Sequence, residues 1–214
     1  MYHALRVNEQ NKQYIYLEKR QTPGTEHLYG LLHAIHNRLQ ITFSYQKFYT
    51  DHSEQRTVNP LALKEFKHRW YLLARDKYDN RVKVYALDRI SELEISKLNF
   101  PEDADFDMDK IQKHCFGIII PNDEKPEKVV LSFEPFQGKY IKSLPLHETQ
   151  KILIDNDEEL RVSLNIYLTH DFKMEVLSMG ETVKVIEPEC FVEEMQESYR
   201  GALEKYLNQD FRKI

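Results

Sequence analysis

The chain has 214 residues, 41% hydrophobic and 30% charged, a globular balance that excludes disordered and fibrous classes. Six glycines and eight prolines exclude collagen-like and low-complexity chains, and two cysteines, Cys115 and Cys190, exclude a disulfide scaffold or a four-cysteine metal cluster. The net charge of −5 argues against a uniformly basic nucleic-acid binder, but it is unevenly spread: residues 1–100 carry +5 and residues 101–214 carry −10.

Residues 1–25 read as an N-terminal segment or linker without an apolar run of signal-peptide length. The longest apolar runs, such as Gly117-Ile118-Ile119-Ile120, fall far short of the roughly 20 residues that span a bilayer, so a soluble, cytoplasmic chain is expected. Thr25 is placed to N-cap a helix opening at Glu26, with Leu28, Leu31, Leu32, Ile35 and Leu39 at helical spacing. Over 40–46 the period changes to two: Ile41, Phe43 and Tyr45 alternate with Thr42 and Ser44, which predicts a half-buried strand. Strands are also predicted at 56–66, 69–75, 81–86 and 89–95, with Tyr78-Asp79-Asn80 as turn chemistry. A helix followed by about five short strands predicts a small barrel over 26–100.

The acidic stretch from Pro101 to Asp107 falls where the charge changes sign, and it is predicted to open a linker with a short helix over 101–127. Beyond it, 128–214 reads as strand (Val129 to Phe133), helix (Pro135 to Leu144), strand (Thr149 to Ile154) and strand (Leu160 to Leu168). A helix capped by Thr169 and ended by Gly180, a strand (Val183 to Ile186) and a last helix opened by Pro188 complete it. That order, βαββαβα, matches a ferredoxin-like split sandwich with a terminal helix. The class is therefore α+β.

The chemistry concentrates in Arg69-Trp70-Tyr71-Leu72-Leu73-Ala74-Arg75 and Arg81-Val82-Lys83-Val84-Tyr85-Ala86-Leu87-Asp88-Arg89-Ile90. Strand alternation assigns Trp70, Leu72 and Ala74, and likewise Val82, Val84 and Ala86, to a core face. Arg69, Tyr71, Leu73 and Arg75 with Arg81, Lys83 and Tyr85, joined by Arg89 if the strand continues without a bulge, then form an outer face of cations interleaved with tyrosines. Such a face suits phosphates and stacked bases; the bland alternative is a solvated sheet face.

These segments, with Arg56-Thr57-Val58-Asn59-Pro60-Leu61 ahead of them, resemble the WYL domain of bacterial transcriptional regulators. Pro145-Leu146-His147-Glu148-Thr149-Gln150 and the stretch from Met179 to Pro188 resemble its C-terminal WCX extension, so the likeness covers roughly 26–210. The resemblance implies an SH3- or Sm-like barrel preceded by a helix, then a ferredoxin-like extension. It implies a homodimeric sensor of a nucleic-acid-derived anionic ligand, single-stranded DNA or RNA or a nucleotide, coupled to DNA through a winged helix-turn-helix domain that this chain does not contain. The matching ligand positions are Arg56, Arg69, Tyr71, Lys83 and Arg89, with Trp70 and Leu72 structural. Ala86 departs from the pattern, since a basic residue is common at its place.

Rival classes find less support in the residues. His33 and His36 share a helix face, but no third ligand follows at metal spacing, so no metal and no cofactor are expected. Cys115 follows His114 without an orienting acid and reads as a buried small residue; His147 reads as a hydrogen-bonded structural histidine. Without a nucleophile elbow, P-loop or Rossmann fingerprint, an enzyme is not expected. The runner-up is a stand-alone nucleic-acid-binding accessory protein or a dimerisation module, for which the Phe191/Met195/Tyr199 stripe of the last helix is the natural contact.

Overall fold

A computed structural model describes residues 23–121 and 125–207, and the chain divides into two compact units at the Pro101–Glu102 boundary. In the first, a 3-10 turn (Thr25–His27) leads into α1 (Leu28–His36). Thr25 does not cap it. His27 stands at the N-cap of α1, and the 3-10 turn before it is capped by Gly24 at φ 94, whose amide donates to the Glu26 carboxylate at 2.9 Å. Glycine is needed here twice over: the backbone is left-handed, and a Cβ would overlap the Leu87 carbonyl. α1 then buries Leu31 and Ala34 against the sheet.

Five strands follow: β1 (Leu39–Gln46), β2 (Ser53–Phe66), β3 (Arg69–Asp76), β4 (Val82–Ala86) and β5 (Ile90–Asn99). They pair antiparallel in the order β4-β3-β2-β1-β5. The helix-then-five-strand architecture expected of an SH3- or Sm-like domain is present, with one refinement. β4 and β5 share no ladder, so the sheet stays open there, and a 3-10 turn (Leu87–Arg89) carries the chain from one edge to the other. The 14-residue β2 has a register shift between Pro60 and Ala62, where proline cannot donate to the ladder. β2 and β3 are joined by Lys67-His68 at φ 48 and 65, the left-handed pair of a tight hairpin turn. The core gathers Leu31, Ile41, Phe43, Val58, Leu72, Ala74 and Leu87, with Trp70 packed at its margin.

The register corrects the expected faces. Leu72 lies across from Tyr85 and Ala74 across from Lys83, so Tyr85 and Lys83 share the core side of the sheet. Val82, Val84 and Ala86 lie instead across from Arg75, Leu73 and Tyr71. Tyr71 is only 7% exposed and Leu73 1%, so β3 is buried on both faces and the continuous Arg/Tyr outer platform is not built. Directly paired residues lie on the same side of an antiparallel sheet, and that pairing is invisible in the alternation of either strand alone.

The second unit begins with α2 (Met108–Gln112), capped by the Asp107 carboxylate accepting from the Lys110 amide. β6 (Glu127–Phe133), α3 (Pro135–Ser143), β7 (Lys151–Asp155), β8 (Leu160–Ile166), α4 (His170–Leu177), β9 (Val183–Glu187) and α5 (Glu189–Leu207) follow. The antiparallel order β7-β8-β6-β9 is that of the expected ferredoxin-like sandwich. Its core takes Val129, Leu131 and Phe133 from β6, Val162 and Leu164 from β8, Phe172 from α4 and Phe191 from α5. Two local expectations change. Thr169 stands at the N-cap of α4, but its hydroxyl turns to the Phe116 carbonyl at 3.4 Å instead of bonding an amide of the first turn. Gly180 opens a further 3-10 turn (Gly180–Thr182). The α5 stripe divides: Phe191 and Met195 are buried in their own unit, while Tyr199, Leu203, Tyr206 and Leu207 stay exposed.

Candidate ligand site

Two charged clusters form in the first unit. One surrounds Asp76, at the end of β3. The turn after it is tied by Asp76 and Asp79: Asp76 Oδ1 accepts from the Tyr78 amide at 2.8 Å and Asp79 Oδ1 from the Arg81 amide at 3.1 Å. Asp76 Oδ2 accepts from Lys83 Nζ and from the Tyr85 hydroxyl, both at 2.9 Å, with Arg56 Nη1 3.6 Å away. Arg56 also pairs with Glu54, and Lys83 with Asp79 at 2.7 Å. Burial alone would raise the Asp76 carboxyl, yet bonds from Lys83, the Tyr78 amide and Tyr85 together hold it below the ordinary aspartate range. Burial likewise works against the Lys83 ammonium, but Asp79 and Asp76 raise it. The Tyr85 phenol is pushed up by burial and by its bond to Asp76, so it stays neutral.

The second cluster occupies the Leu87–Arg89 turn. Asp88 Oδ2 accepts from Arg69 Nη1 at 3.3 Å, and Asp88 Oδ1 faces Arg89 Nε at 4.0 Å. Those last two atoms are buried without a hydrogen-bond partner among the described residues. The Arg89 guanidinium carbon lies 4.6 Å from the Phe48 ring centroid and 5.5 Å from that of Tyr45. A cleft of about 400 Å³ opens here between the β1–β2 loop and the turn, lined by Lys47, Phe48, Asp51, Asp88, Arg89 and Ser91 among others. The two clusters are joined by aromatic rings: Tyr45 meets Tyr85 edge to face at 5.1 Å, and both pack on Phe43. Burial raises the Tyr45 phenol, against the Ala86 amide that donates to its oxygen and the nearby Arg89.

The five expected ligand residues therefore do not lie on one surface. Arg56 and Lys83 converge on Asp76; Arg69 and Arg89 converge on Asp88; Tyr71 is buried on the opposite side of β3 from Leu72. The sequence reading missed Asp88 as the acid that collects two arginines, although it stands inside the quoted Asp88-Arg89-Ile90. It also missed Phe48, whose signal was an aromatic pair beside Lys47 in a hairpin loop. Elsewhere, Cys115 is buried and its thiol donates to the Ile119 carbonyl at 2.8 Å. His147 Nδ1 accepts from the Thr149 amide at 3.2 Å, and burial lowers its imidazole. No group of three metal-ligating side chains is found among the described residues, and no described helix is long and apolar enough to cross a membrane.

The WYL domain family model matches residues 26–95, and the WCX domain family model matches residues 125–203. The chain thus carries a WYL domain followed by a WCX domain. Among solved structures, proteasome accessory factor B/C (PafBC) of Arthrobacter aurescens is similar at 20% identity over 88% of this chain and 28% of that one, with a TM-score of 0.37. The crystal structure of a CRISPR Cas-related protein is similar in fold at 12% identity over 87% of this chain and 53% of that one, with a TM-score of 0.52. The chain spans 28% of the first structure's length and 53% of the second's. No curated protein matches it.

Proposed function

We propose that this chain is the ligand-sensing region of a WYL-family transcriptional regulator. It binds a nucleic-acid-derived anionic ligand without catalysing a reaction and passes the signal to DNA binding through a dimer. The observation behind this reading is the convergence of Arg69 and Arg89 on Asp88 beside a cleft that Phe48 lines, in the half of the chain that carries +5. Arg69 and Arg89 are the contacting cations. Arg56 and Lys83, balanced by Asp76, brace the sheet end and add to the field, while Tyr71 supports β3 from within. Dimerisation uses the exposed end of α5, where Leu203, Tyr206 and Leu207 continue the buried stripe.

The test is fluorescence anisotropy with short single-stranded DNA and RNA at two salt concentrations. Affinity falls with salt, as counterion release requires. Arg69→Ala and Arg89→Ala each weaken binding by about tenfold, the scale of one charge-assisted contact, while Lys151→Ala on β7 leaves it unchanged. Salt-independent binding, or an equal loss from Lys151→Ala, would count against the reading. Oligonucleotide turnover abolished by one substitution would return the question to enzymes.

A further inference from the structure

A strand at the end of a sheet has one side with no strand to pair against, and proteins normally keep such a side short, charged or covered. In the second unit the end strands are β7 and β9. β9 turns its valines inward, with Val183 and Val185 buried. β7 does not: Ile152 is 52% exposed and Leu153 49%. Leu153 is the extra residue of a bulge, since Ile152 lies across from Val162 and Ile154 across from Arg161. The strand's sequence, Lys151-Ile152-Leu153-Ile154-Asp155, is its own complement when laid antiparallel. With Leu153 on a two-fold axis, Lys151 faces the second copy's Asp155, Ile152 faces the second copy's Ile154, and each pair occurs twice. A shift of one residue sets Lys151 against Ile154 or Asp155 against Ile152, a charge against an apolar side chain. Lys142 Nζ lies 2.9 Å from both carboxylate oxygens of Asp155 and holds that carboxylate at the strand end, while Lys151 has no ion-pair partner among the described residues.

We propose that the β7 edge pairs with the β7 edge of a second copy of this chain, joining the two four-stranded sheets into one continuous sheet. The self-complementary sequence selects a second copy over an unrelated peptide, because a two-fold contact matches both charges with none left over. Five residues a side is far below the roughly 800 Å² per partner of a stable interface, so the contact forms and breaks with concentration. It uses a different element from the α5 end that carries the proposed dimer and goes beyond that reading: a chain with both contacts associates past the dimer.

The experiment is sedimentation equilibrium of the whole protein over a range of concentrations. The weight-average mass of the wild type rises by about half or more between about 10 and about 500 µM, as expected of a contact this small. Lys151→Glu and Asp155→Lys each set like charges across the axis, and each abolishes the rise. An equimolar mixture of the two variants restores it, because in the mixed pair each altered charge meets its opposite. Such a rescue cannot come from misfolding, so the test holds even where one variant is less stable. A mass that does not change with concentration overturns the edge pairing, and if that mass is the dimer's it leaves the α5 dimer standing. A rise that starts from the monomer mass and disappears in Lys151→Glu upholds the edge pairing and counts against the α5 dimer. A rise that both variants keep, or that their mixture fails to restore, overturns the edge pairing.

Discussion

Asp76 shows how a polar residue becomes part of a core. It is 2% exposed, and three donors meet its carboxylate. Its replacement by asparagine is expected to cost about 2–3 kcal/mol, the scale of losing charge-assisted hydrogen bonds; Tyr85→Phe, which loses a single bond, costs about 1 kcal/mol. The pH dependence has a definite sign. The folded carboxyl titrates below the unfolded value of about 3.9, so its stabilisation is complete above that value and is lost as pH falls through the folded pKa. Urea unfolding should give a narrower gap between wild type and Asp76→Asn at about pH 3 than at about pH 6. A gap that did not change with pH would show that the charge of Asp76 contributes nothing. Tyr85 could not be recognised as core from alternation, because its burial depends on an acceptor supplied by the neighbouring strand.

At the level of elements, type and order were legible because each has its own period: 3.6 in α1, two in β1, and the βαββαβα succession of the second unit. Register was not legible, since it is a property of two strands. Val82, Val84 and Ala86 look like a core face in isolation, and only pairing with Arg75, Leu73 and Tyr71 reverses that reading. The same limit hid the site: Arg69 and Arg89 are distant in sequence and meet through Asp88, while Arg56 and Lys83 meet through Asp76. One element carries avoidable strain. Lys67 and His68 both sit at positive φ, which costs side-chain-bearing residues roughly 1–2 kcal/mol each. Changing the pair to Asn-Gly (Lys67→Asn, His68→Gly) is expected to raise stability by about 1 kcal/mol, allowing for the entropy of glycine in the unfolded chain. A higher urea midpoint with an unchanged slope would establish it, and a lower midpoint would refute the assigned turn.

Over the whole molecule, the two units have separate cores, one around Phe43 and Leu72, the other around Leu131 and Phe172. Each fragment, 1–101 and 102–214, is expected to unfold cooperatively on its own when followed by circular dichroism. With the net positive charge confined to the first half, the proposed oligonucleotide binding is expected of fragment 1–101 and not of 102–214; binding by the acidic fragment would refute this division. One small feature gives the first unit a mechanical character. Gly24 touches the Leu87–Asp88 backbone with no side chain between them, and His27 Nε2 lies 3.3 Å from the Ile90 carbonyl oxygen. The two ends of the 3-10 turn that carries Asp88 and Arg89 are therefore clamped to the start of α1. Close-packed backbone leaves no compressible layer to absorb a displacement. A ligand that shifts Arg89 by an ångström is therefore expected to displace the start of α1 with it, so the turn and the helix move as one stiff piece.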